Sequence, residues 1–101
     1  MFQSEIDAGT NLLSVAFSGK VDAEEARRCR EQAESLVVSL KSGFHLLTDL
    51  SALDSMDVAC APQVEQLMDV LNQHGIATVV RVIPDPHKDI GLNIDTLFGK
   101  H

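Results

Sequence analysis

Apolar positions recur along this chain in two periods, and the switches between them divide it into strands and helices. Leu13, Val15 and Phe17 fall on every second position with the smaller Ser14 and Ala16 between them, the pattern of a strand over residues 12–18 with one buried face. Phe2 to Asp7 reads as an edge strand ahead of it, joined through a turn at Gly9, Thr10 and Asn11. Gly19 ends the second strand. Asp22, followed three residues later by Glu25, then gives a capping-box-like helix start. Ala26, Cys29, Ala33, Leu36, Val37 and Leu40 supply the buried stripe of that helix. After Ser42 and Gly43 a short apolar run over 44–49 suits a buried strand. Ala61, Val64, Leu67, Met68 and Leu71 recur at helical spacing before Gly75, so the pattern predicts a helix over about 58–74. Ile76, Ala77, Val79, Val80, Val82 and Ile83 form a nearly continuous apolar strand of the buried kind, ended by Pro84 and Pro86. Asp89 caps a last helix in which Ile90, Ile94, Leu97 and Phe98 share one side, weakened by Gly91.

The resulting order, ββαβαβα, predicts an α/β fold. Helices returning between strands imply a four-stranded mixed sheet with parallel crossovers and an antiparallel start, packed with about three helices. With 101 residues the chain has enough length for one core and one domain, residues 1–101.

Charge narrows the partners. Eight Lys and Arg against fifteen Asp and Glu give a net charge of -7, which repels nucleic acid and anionic lipid, so the expected partner is neither nucleic acid nor membrane. The first residues lack the basic and apolar regions of a signal peptide, and a cytoplasmic location is expected. Arg27, Arg28 and Arg30 stand four residues from Glu31, Glu24 and Glu34, a solvated helix face rather than a basic patch. Cys29 and Cys60 sit at apolar positions and read as reduced core thiols. Neither belongs to a CxxC pair, and His45, His74 and His87 are not at ligand spacings, so no metal or cofactor is expected. Ser55, His74 and several aspartates supply the groups of a triad in name only. Without a GxSxG turn the reading is a protein that is not an enzyme.

The segment from Asp49 through Asp57 carries the most specific chemistry. It sets Ser55 after Asp54 where a strand hands over to a helix, in the connection or at the helix start. There a phosphate on Ser55 would meet unpaired helix amides. The plainer reading is that Asp54, Ser55 or Asp57 caps the helix.

These residues resemble the STAS family, small domains that include bacterial anti-sigma-factor antagonists and the cytoplasmic tails of sulfate transporters. The resemblance spans roughly residues 12–98. It rests on Phe17, Ser18, Gly19, Lys20, Val21 and Asp22 before the first long helix, on Asp49, Leu50, Ser51, Ala52, Leu53, Asp54 and Ser55 after the next strand, and on the element order. It implies a regulatory protein-interaction module in which Ser55 matches the antagonists' phosphoacceptor and Asp54 the acidic residue before it. The implied partner is an anti-sigma factor or kinase, bound through Ser51, Asp54, Ser55, Met56 and Asp57. Unmodified antagonists of the family bind an anti-sigma kinase, and phosphate breaks that complex. Where antagonists carry a small hydroxyl residue and a Gly after the acceptor, this chain has Met56 and Asp57. Asp57 places a fixed charge near any phosphate, which disfavours or mimics phosphorylation. The alternative reading is a STAS-like sensor for a nucleotide or small apolar ligand, with Met56, Met68, Phe98 and the strand ends lining a cleft. Oligomeric state is not set by the sequence.

Overall fold

The structure, a computed structural model, describes residues 1–82. Four strands form one mixed sheet in the order β1-β2-β3-β4, where β1 is Phe2–Asp7, β2 Leu12–Val21, β3 His45–Met56 and β4 Thr78–Val82. β1 pairs antiparallel with β2, and β2, β3 and β4 run parallel. Helix α1, Ala23–Val37, returns from β2 to β3, and α2, Ala61–Gln73, from β3 to β4. The two helices touch each other and cover one face of the sheet. The last helix expected from Asp89 onward, with Phe98, lies outside the described residues.

The core is the layer between helices and sheet. Leu13, Val15 and Phe17 of β2, Leu46 and Leu50 of β3, and Phe44 before it are all buried. Ala26, Cys29, Ala33 and Val37 meet them from α1, and Val64, Leu67, Met68 and Leu71 from α2. Leu36, expected in the buried stripe, is only partly covered. Asp22 caps α1 as the sequence predicts, its carboxylate accepting from the Glu25 amide at 2.9 Å.

Three elements depart from their expected form. β2 does not end at Gly19 but passes through it to Val21, Gly19 taking φ 68 at a shift in pairing register. β3 runs on to Met56 because two extra residues are absorbed as bulges opposite β2, one between Ala16 and Ser18 and one between Gly19 and Lys20. β4 is an exposed edge among the described residues, with Val80 50% and Val82 42% exposed, whereas its apolar run reads as a fully buried strand. Its alternate residues face the side of the sheet that α1 and α2 leave uncovered. On α1, Arg27 joins Glu24 and Glu31, and Arg30 joins Glu34. Glu24 thus pairs three residues on rather than with Arg28. Arg30 also donates to Gln63 Oε1 at 2.8 Å, tying α1 to α2.

Thr48 is the one buried polar residue of the described core, 1% exposed, and its hydroxyl has no hydrogen-bond partner. An orphaned buried hydroxyl costs about 1–3 kcal/mol. Thr48→Val keeps the shape and removes that cost, so it raises the unfolding free energy by about 1 kcal/mol, read as a higher urea midpoint at unchanged slope.

Candidate functional site

Ser55 lies at the carboxyl ends of β2 and β3, the end of a parallel sheet where loops carry chemistry. The register pairs Lys20 with Ser55 and Val21 with Met56, and the Asp57 amide donates to Val21 O at 3.0 Å. Val21 and Met56 are anchored in the core at 3% and 1% exposure. Between these anchors the main chain of both strands is fixed, and Ser55 is left half-buried beside exposed Asp54, with exposed Lys20 across from it.

Immediately beyond, Val58–Cys60 forms a single 3-10 turn, and α2 starts at Ala61 with Pro62 in its first turn. Asp57 is the cap of that turn, its carboxylate accepting from the Ala59 amide at 2.9 Å. Among the three capping candidates, Asp57 therefore holds the role. Two sequence expectations change here. Ser55 is a strand residue, not a connection or helix-start residue, and the amide at the start of the turn is already taken by Asp57. Met56 cannot contribute to a partner surface, because the second bulge turns its side chain into the core.

Ser51 occupies the first bulge, one step back along β3. Its hydroxyl and amide both donate to Asp49 Oδ1, at 2.6 and 3.0 Å, and these bonds hold the Asp49 carboxyl below its ordinary range. Ser51 is exposed but engaged in this local turn.

Lys20 and Asp22 were not legible as site residues. Nothing in the linear sequence pairs position 20 with position 55, because the pairing depends on both bulges. With Asp22, Asp54 and Asp57 against Lys20, the surface around Ser55 is acidic. Asp22 and Asp57 are each committed to capping, at α1 and at the 3-10 turn.

His74 caps the far end of α2, about 20 Å from its start for a 13-residue helix, and its ring meets Phe44 edge-on at 6.3 Å. It cannot serve as a base for Ser55. Cys60 is buried and weakly hydrogen-bonded to Val21 O at 3.6 Å; burial, then Asp57, pushes its thiol up to about 11. Burial likewise pushes Cys29 up to about 12, so both free thiols are protonated and unreactive at neutral pH. Met56 and Met68 fill the core, so they do not line a ligand cleft, and Phe98 lies outside the described residues. On the uncovered face, Gln3, Ala16, Ser18, Asp49 and Ala52 border a cleft of about 280 Å³ with mixed polar and apolar walls. Among the described residues no group of three His, Cys, Asp or Glu is placed to hold a metal ion, and no helix is long and apolar enough to cross a membrane.

Comparison with known proteins adds one finding. The family model described as STAS domain matches residues 3–94, which takes in all of the described sheet but Phe2, both described helices and the segment around Ser55. No curated protein matches the chain.

Proposed function

Because this chain belongs to the STAS domain family, we propose that it is a non-catalytic regulatory module resembling an anti-sigma-factor antagonist, which binds a protein partner at the carboxyl ends of β2 and β3. Asp54, Ser55 and Asp57 with Lys20 form the center of that surface, and Ser51 its edge. The partner is an anti-sigma factor or kinase, and Ser55 is the switch. The observation that carries this reading is the placement of Ser55: half-buried, with a core-anchored neighbor at Met56 and a core-anchored residue at Leu53, so its hydroxyl is presented from a rigid strand.

A phosphate there adds about -1.5 to -2 charges to a surface that already holds three aspartates and one lysine. With Asp57 occupying the amide of Ala59, the phosphate gains no helix-start amide there. The added charge therefore acts against the partner rather than being absorbed by the domain.

The test is affinity capture from the source lysate with wild-type, Ser55→Ala and Ser55→Glu proteins. One partner retained by the wild-type and Ala baits, and held at least about tenfold more weakly by the Glu bait, a loss of about 1.4 kcal/mol, is the expected result. Equal retention of every partner by the Ala and Glu baits would remove the switch.

A further inference from the structure

Among the described residues β1 forms one edge of the sheet and pairs only with β2. Met1 and Ser18 exchange both main-chain hydrogen bonds, each at 2.8 Å. Such pairs alternate along an antiparallel ladder, so Gln3, Glu5 and Asp7 turn their main-chain groups toward β2. Phe2, Ser4 and Ile6 turn theirs outward. An N–H and a C=O from each face away from the sheet, on a strand in unbroken register that carries neither Pro nor Lys.

Side chains at this edge are also incompletely satisfied. The Ser4 hydroxyl oxygen is shielded from solvent and has no hydrogen-bond partner. Phe2 and Ile6 are only partly covered by the core. Phe2, Gln3, Ser4 and Glu5 together with Gln32 of α1 border an open groove of about 270 Å³ running along the strand.

The strand's own sequence says what fits. Phe2, Gln3, Ser4, Glu5 and Ile6 read apolar, polar, hydroxyl, polar, apolar, symmetric about Ser4. When β1 is laid antiparallel to β1 of a second copy with the two Ser4 residues opposite, the outward-facing residues become the hydrogen-bonded pairs: Ser4 with Ser4, and Phe2 with Ile6 in both directions. The apolar pairs lie on the helix side of the sheet, where both side chains are half-covered already. Gln3 then stands opposite Glu5 of the second copy, an amide donor against a carboxylate, and no carboxylate is directly opposite another. The two Ser4 hydroxyls meet on one face and give each other the missing partner. Gln32, exposed beside Ser4, brings an uncharged amide to the same axis from the helix layer.

We propose that two copies of this chain associate through β1, antiparallel about a two-fold axis at Ser4, joining two four-stranded sheets into one. The surface is separate from the one around Ser55, so dimerization leaves that end of each domain open. The net charge of -7 on each copy opposes association, and added salt therefore strengthens it.

Sedimentation velocity from micromolar to millimolar protein provides the test, with circular dichroism confirming that each variant is folded. The wild-type mass rises with concentration from 11.0 kDa toward twice that value. Ser4→Pro removes the outward N–H and blocks the edge while sparing the bonds to β2, and it weakens self-association at least tenfold. Ser4→Cys forms an intermolecular disulfide under mild oxidation, because opposed residues of a hydrogen-bonded pair lie about 5.5 Å apart, within disulfide reach. Gln3→Cys, opposite Glu5, does not; Cys29 and Cys60 are buried and do not compete. A wild-type chain that stays monomeric throughout, including one that instead takes up an added extended peptide, overturns the proposal. So does a dimer in which Gln3→Cys cross-links as readily as Ser4→Cys. If Ser4→Pro fails to fold, the cysteine pair decides.

Discussion

Leu53→Ala lowers the free energy of unfolding by about 2–5 kcal/mol, the range for truncating a fully buried leucine. The residue is 0% exposed and stands between the two bulges of β3. Buried positions along this strand fall first at Leu46, Thr48 and Leu50 and then at Leu53 and Met56, so the spacing changes from two residues to three. Each extra residue is taken up by a bulge, which keeps the inward face continuous. Were the segment a surface connection, the same substitution would change stability by no more than about 0.5 kcal/mol. Urea unfolding distinguishes the cases: the expected result is a lower midpoint with an unchanged slope. Because Leu53 and Met56 bracket Ser55, the variant also loosens the strand that presents the switch.

The second large effect is at Gly75, where Gly75→Ala destabilizes the fold by about 2–4 kcal/mol. Gly75 has φ 92, a conformation that L side chains rarely adopt. A Cβ there would overlap Ser42 Oγ and lie 3.1 Å from Ser42 Cβ and 3.3 Å from Ser42 Cα. The turn cannot simply swing away, because Gly75 O accepts from the Gly43 amide at 2.7 Å and Ala77 N donates to Phe44 O at 2.8 Å. These bonds join the turn after α2 to the turn before β3. For a domain of this size each kcal/mol moves the melting temperature by about 4–8 °C, so the loss is visible in a thermal scan. Adding Ser42→Gly removes the overlap but not the left-handed strain. The double variant therefore recovers part of the loss, with a coupling of about 1 kcal/mol or more in the double-mutant cycle. Full additivity would show that the two turns do not bear on each other.

The helices were legible because their signals are local. Asp22 with Glu25, the stripe from Ala26 to Val37, and Val64, Leu67, Met68 and Leu71 each lie within one element, and the structure buries them as the period implies. The start of the sheet was legible for the same reason, through the alternation of Leu13, Val15 and Phe17. β3 was misread past Asp49 because Leu50, Leu53 and Met56 no longer alternate. Three-residue spacing in a short stretch imitates a turn or a helix start, and only pairing with β2 shows it to be a bulged strand. β4 was misread in burial, since an apolar run shows affinity for a core without saying how much of the core reaches it. At the candidate site, local motif singles out Ser55, Asp54 and Asp57 but not Lys20, and it places Met56 on the surface although the residue lies inside.

The sequence alone determined the α/β class, the two described helices with the cap at Asp22, and the STAS resemblance carried by the segments around Asp22 and Ser55. Those features depend on contacts between residues a few positions apart. Tertiary structure decided which face of β3 each residue shows after Asp49 and which carboxylate caps the turn before α2. Each of those depends on register between distant segments, and two inserted residues are enough to reset it.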